Sequence, residues 1–161
     1  MTPPSKPAVI AALRAALAAE RTAVESVAAM ARDEVGSDQT KQEGKYDTRA
    51  TEASYLARGQ AWRIDELRRL AAWFDLLEPA PCDLAQVGAL VELVGELAGP
   101  RRDLVFLAPV GGASAEVGGR VVRIVSPGSP LGQALAELAV GDAFEVDSPG
   151  GLVTWEIAGI W

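Results

Sequence analysis

The chain has 161 residues, no histidine, one cysteine and a formal net charge of −7. Lacking histidine, it cannot be a histidine-dependent hydrolase and has no member of the commonest class of metal ligand. Cys82 alone can form neither an internal disulfide nor a cysteine-based zinc site. The charge is uneven: residues 1–77 carry eleven basic and eleven acidic side chains, residues 78–161 four basic and eleven acidic. Phosphates would be repelled by the second half, so direct DNA binding is not expected. No apolar run reaches the roughly 18 residues of a membrane span. The opening "MTPPSKPAVIAALRAALAAE" lacks the basic start of a secretion signal and reads as the beginning of a helix. A reduced, cytoplasmic setting and no membrane partner are therefore expected.

Residues 6–35 repeat at helical spacing. Ile10, Leu17, Val24 and Ala31 stand seven apart, and Leu13 and Val27 fill a second series with Glu20 between them. This is a heptad seam of about four repeats. Pro7 suits a first turn, where its missing N–H costs nothing. Gly36, Ser37 and Asp38 break the pattern. A second helix is predicted from Asp47 or Thr48, either of which can cap it, to about Leu77. Leu56, Leu67, Leu70, Phe74 and Leu77 share its apolar face. Two such helices joined by a bend of some ten residues pack antiparallel as a rod of roughly 40 Å. The prolines of "EPAPCD" stop the second helix.

Beyond this linker the period changes to two. Strands are predicted at 86–94, 103–109, 120–126, 142–148 and 152–161, with "SPGG" (148–151) turning between the last two. A short helix is predicted over 129–138, with Ser129 as its N-cap and Pro130 at its first position. "VGGASAEVGG" (110–119) reads as a flexible hairpin loop. The fold class is α+β: an antiparallel helical hairpin over 1–77, a linker over 78–85, and a small antiparallel sheet domain with one short helix over 86–161.

No residue looks catalytic in isolation. Ser126 and Ser129 have no histidine to activate them. Cys82 has no basic neighbour in sequence, and the four tryptophans read mostly as core, with Trp161 at the chain end the one candidate for exposure. The charges gather instead at the bend, in "KQEGKYDTRATEASYL" (41–56).

The stretch "SPGSPLGQALAELAVGDAFEVDSPGGLVTWEIAGI" resembles the C-terminal domain of the bacterial Gre-type transcript cleavage factors (GreA/GreB family). The shared order is Ser-Pro-Leu opening a short helix, Val-Gly-Asp at 140–142, an alternating strand, Pro-Gly-Gly at 149–151 and an aromatic before Glu-Ile. "TRATEASYLARGQAWRIDELRRL" extends the resemblance into the hairpin. It implies an FKBP-like C-terminal domain and a factor that is not itself an enzyme. The globular domain would grip the rim of the RNA polymerase secondary channel, with Ser129, Pro130 and Leu131 as its docking edge. The coiled coil would reach down the channel, near the nascent RNA. Acidic residues at its tip would help hold a Mg²⁺ at the polymerase active site, where the ion activates water against a phosphodiester. No tightly bound cofactor is implied.

Aligned through Arg63 and Ile64, Glu43 falls near the first acidic position of the family's tip, Tyr46 on the second, and Asp47 one residue late. Glu43 and Asp47 are the metal-facing candidates, with Asp38 in reserve, while Lys41 and Lys45 oppose metal binding. The alternatives are a non-cleaving channel binder resembling the regulator of nucleoside diphosphate kinase, an FKBP-like folding helper, and a structural dimer built on the alanine seam.

Overall fold

The computed structural model describes residues 3–38, 48–96 and 99–161. The element order is α1 (Lys6–Asp38), α2 (Thr48–Leu76), β1 (Leu90–Glu96), β2 (Pro100–Leu107), β3 (Ser114–Val117), β4 (Arg120–Val125), α3 (Pro130–Leu135), β5 (Ala143–Ser148) and β6 (Gly151–Ile160). The strands form one sheet in the order β3-β4-β2-β1-β6-β5. Both long helices and the helix-then-sheet order agree with the α+β reading. At ~1.5 Å per residue, the 33 residues of α1 span about 50 Å.

The apolar seam of the hairpin follows the undistorted helix period. Ile10, Leu13 and Leu17 are buried, Val24 is half-buried and Ala28 is buried. Val27 and Ala31, assigned to the seam by the heptad spacing, are exposed. Ala28 stands five full turns of about 3.6 residues from Ile10 and so shares its direction, whereas Val27 points about 100° away from it. On α2, Ile64, Leu67, Leu70 and Phe74 are buried, whereas Leu56 is 68% exposed. Glu20 sits in the seam itself, where Arg63 Nη2 donates to its Oε1 at 2.5 Å. Arg14 crosses from α1 to donate to the carbonyls of Phe74 and Leu77. It thereby gives the Leu77 carbonyl, just past the end of α2, a donor and adds a second to the Phe74 carbonyl, which already accepts from the Leu77 N–H at 3.2 Å.

The hairpin is not a free rod on a linker. Val9, Ile10, Leu13, Leu17, Leu67, Leu70 and Phe74 form one core with Leu90, Leu104, Phe106, Val122 and Ile124 on a face of the sheet. The rings of Trp73, Phe74 and Phe106 meet at centroid distances of 5.1 to 6.4 Å. The opposite sheet face builds a second core from Val91, Leu93, Val105, Leu107, Val125, Val153, Trp155 and Ile157, closed by Leu135 of α3. Because both faces are covered, Leu90, Val91, Glu92 and Leu93 are buried consecutively.

Two features of the sheet differ from the sequence reading. Residues 110–119 are not simply a loop. Ser114–Val117 pair with β4 as an edge strand, and Ala113, Ala115 and Val117 pack into the core beneath the hairpin. Only Gly118 and Gly119, with φ of 58° and 75°, form the turn, the two-residue geometry that requires positive φ at both positions. The sheet is also not wholly antiparallel. β2 and β4 run parallel, Leu104 beside Val122 and Leu107 beside Val125, because β3 takes the outer edge and β4 returns between it and β2. The other pairings are antiparallel.

The tryptophans divide differently from their expected roles. Trp155 is buried, and Trp73 and Trp161 pack partly into the core. Trp62 is 66% exposed. Trp161 covers Gly159 so closely that a Cβ there would lie 2.4 Å from its ring. Cys82 does have a basic neighbour, which its sequence surroundings concealed: Lys6 Nζ lies 3.3 Å from its Sγ and donates to the Ala80 carbonyl. No helix among the described residues is long and apolar enough to cross a membrane.

Candidate functional site

A groove of about 630 Å³ opens where the hairpin meets the sheet domain. Its walls come from five places. The N-terminus of α3 supplies Ser129, Pro130 and Leu131; the end of β4 supplies Arg123 to Val125, followed by Ser126; the 109–112 loop and β5 face them; and α2 contributes Glu66. β4 and β5 stand four places apart in the sheet order, so the sheet must curl for both to reach one groove. All three residues singled out as a docking edge line it. Ser129 is also the cap expected from sequence: its Oγ accepts from the Gly132 N–H at 3.0 Å and donates to the Ser126 carbonyl at 2.8 Å.

The local sequence explains why α3 starts here. Pro130 occupies the first turn, where no N–H is needed. Gly132 lets the helix settle onto the preceding chain, since a Cβ at 132 would lie 2.0 Å from the Ser126 carbonyl oxygen. Cap, proline and glycine together fix Leu131, half-buried, at the groove wall. Gly111 has a similar role opposite, where a Cβ would meet the Ser126 N at 3.1 Å.

Arg63 ties the groove to the rod. Besides Glu20, it reaches Glu66 at 3.6 Å and donates to the Gly112 carbonyl at 3.2 Å. One guanidinium therefore joins α1, α2 and the loop that forms a groove wall. Sequence reading used Arg63 only as an alignment mark; its acidic partners at i+3 and across the hairpin were the available signal.

The electrostatics of the sheet domain sharpen the composition argument. Its four arginines are all paired. Arg101 and Arg123 hold Asp103, and Arg102 and Arg120 hold the buried Glu92. Arg101 also lies 5.6 Å from the centre of the Trp155 ring. Among the described residues, the other acids of this half are exposed, so its surface presents net negative charge.

The tip lies apart. Asp38 is the last residue of α1. Glu43, Tyr46 and Asp47, with Lys41 and Lys45, fall outside the described residues. Among the described residues, no group of three or more acidic or cysteine side chains is placed to hold a metal ion.

Residues 83–161 match the family described as transcription elongation factor, GreA/GreB, C-terminal. A curated relative from Thermus thermophilus, "Transcription inhibitor protein Gfh1", is 32% identical over 98 residues, 61% of this chain and 60% of that protein. The match thus spans about three fifths of the relative's length. Among solved structures, Gfh1 of Thermus thermophilus aligns at 22% identity over 93% of this chain and 95% of that one, with a TM-score of 0.41. A GreA/GreB factor from Nitrosomonas europaea aligns at 22% identity over 58% and 78%, with a TM-score of 0.37.

Proposed function

From a chain whose residues 83–161 belong to the GreA/GreB transcription elongation factors, we propose a factor that grips RNA polymerase with its globular domain and inserts its hairpin into the secondary channel. The observation that supports this most is the mounting of the hairpin. Its base is locked into the sheet core as far as Leu17, and the remaining twenty-odd residues of α1 project for about 30 Å. A rigid arm of that length can carry charged residues from the rim of a channel to a site inside it. The groove beside the arm's base, with Ser129, Pro130 and Leu131 on its wall, supplies the grip. The acidic surface of the sheet domain disfavours direct contact with nucleic acid and favours a protein partner.

Two outcomes of insertion remain distinct. In the first, Glu43 and Asp47, with Asp38 in reserve, share a Mg²⁺ with the polymerase and stimulate cleavage of a backtracked transcript. In the second, the arm occupies the channel without cleaving, and Tyr46, Lys41 and Lys45 obstruct it. The curated relative is named a transcription inhibitor, and the two lysines repel a cation, so the second outcome is the reading we adopt. A folding helper would need a broad apolar groove, whereas this one mixes Glu66, Arg123, Ser126, Ser129 and Asp147 with its apolar walls.

The test is co-purification with core RNA polymerase, followed by elongation and cleavage assays on a backtracked complex. The inhibitor reading expects binding, slower elongation and no added cleavage at any Mg²⁺ concentration. Cleavage that is lost in Glu43→Gln with Asp47→Asn would establish the first outcome. Absence of binding would refute both.

A further inference from the structure

Lys6 stands where a lysine is least expected. It is only 8% exposed, and lysine is almost never buried without an acidic partner. Among the described residues no carboxylate pairs with it. Its Nζ donates instead to the Ala80 carbonyl and meets Cys82 Sγ at 3.3 Å. Lys6 is also the first residue of α1, at the positive end of the helix dipole, which disfavours a cation. Burial, the lack of an acid and the helix end all count against this residue. What the position does supply is contact with the one thiol of the chain.

The two groups stand 76 residues apart in sequence, so only the fold brings them together. Cys82 is half-buried between exposed Pro81 and Asp83, which leaves its sulfur within reach of a small oxidant. The N···S separation of 3.3 Å falls in the ~3–3.5 Å range from which a bond can form without rearrangement. We propose that Lys6 and Cys82 join through a covalent nitrogen–sulfur bond when hydrogen peroxide oxidises the thiol, fastening the first turn of α1 to the linker that follows α2. In the first step the Cys82 thiolate attacks the peroxide. An S–O bond forms, the O–O bond breaks, and the departing hydroxide takes up a proton, leaving a sulfenic acid and water. In the second step the neutral Lys6 amine attacks that sulfur. An S–N bond forms, the S–O bond breaks, and the hydroxide leaves as water with a proton from the nitrogen. One thiol, one amine and one peroxide thus give one sulfenamide and two waters; the sulfur is oxidised and the peroxide reduced. A dithiol reduces the S–N bond and returns the thiol and the amine. The bond closes a loop over the whole hairpin, which restricts the unfolded chain as a disulfide of the same span would.

The experiment treats the full chain with hydrogen peroxide and reads peptide maps and the thermal midpoint before and after dithiothreitol. The parent is expected to yield joined peptides carrying residues 6 and 82, about 2 Da lighter than the separate pair, and to unfold roughly 5–10 °C higher. Dithiothreitol should reverse both changes. Cys82→Ser is expected to show neither. Lys6→Arg keeps the cation but not the amine, so Cys82 should gain oxygen, with no joined peptides and no rise in the midpoint. Oxidation of the parent that stops at added oxygen, as in Lys6→Arg, would overturn the proposal and leave Lys6 a purely structural contact. An unreactive Cys82, or one that pairs with the Cys82 of a second chain, would overturn it as well. Joined peptides that form equally well in urea-unfolded protein would also overturn it, because the fold would then play no part.

Discussion

Replacing Gly132 with alanine sets local preference against packing, and the structure decides the sign. In an exposed helix this change stabilises by about 1 kcal/mol. Here the added Cβ would sit 2.0 Å from the Ser126 carbonyl oxygen and 2.8 Å from its carbon, far inside the ~3.5 Å of an ordinary non-bonded contact. Both are backbone atoms, so the 126–127 segment must move. That carbonyl accepts from the Ser129 N–H at 3.1 Å and from its Oγ at 2.8 Å. Moving it costs two hydrogen bonds at about 1 kcal/mol each and disturbs a cap worth another ~1 kcal/mol. Set against the propensity gain, the net loss is about 2 kcal/mol before any strain. With a urea dependence of about 1–3 kcal/mol per molar, the denaturation midpoint should fall by roughly 1 M. Polymerase binding should fall with it, because Ser126, Ser129 and Leu131 shape the groove. A variant as stable as the parent, or more stable, would refute the close approach of α3 to the preceding chain and the account of why the groove has this form.

Other substitutions separate the remaining contacts. Arg14→Ala should cost about 1–3 kcal/mol by removing the guanidinium that donates to the Phe74 and Leu77 carbonyls, the first of which keeps the Leu77 N–H, measurable by urea denaturation; Arg14→Lys should recover only part, lacking the forked geometry. Leu67→Ala should cost about 2–5 kcal/mol, while Leu56→Ala on the same helix should change stability by no more than about 0.5 kcal/mol. Equal losses at 56 and 67 would contradict the burial assigned to α2. Gly95→Ala should destabilise the sheet, since its Cβ would meet the Trp155 ring at 2.6 Å and the Thr154 carbonyl at 2.7 Å; an unshifted thermal midpoint would count against that contact.

The parts legible in the sequence were those with a period or a cap. Leu13, Leu17, Leu67, Leu70 and Phe74 repeat at helical spacing and are buried. Ser129 and Pro130 announced α3, and "SPGG" the last hairpin, where Ser148 pairs with Gly151. What escaped depended on neighbours distant in the chain. Ser114–Val117 is too short and too close to glycines to read as a strand; it exists because β4 pairs with one edge of it and the hairpin packs on one face. Trp62 looks like core by composition and is outside because the seam turns through Arg63 and Ile64. Lys6 lies 76 residues from Cys82, and no local pattern joins them. The groove was foreshadowed only by Ser-Pro-Leu, because its other walls come from separate elements brought together by the curl of the sheet.

The shared core beneath the hairpin has a mechanical consequence. α1 is clamped into the sheet core from Val9 to Leu17, a length of about 12 Å, and runs for about 30 Å beyond, with Val24 packed at the core's margin and the rest braced by α2. The clamp acts as the short arm of a lever with a ratio of roughly 2.5, so a 1 Å shift across it swings the far end of α1 by two to three times as much. Phe106 and Val122, which form part of the bed on which the clamp rests, therefore set the aim of the rod as well as the stability of the fold. A change in the volume of either is a steering change felt at the opposite end of the molecule, where no contact with the altered side chain exists.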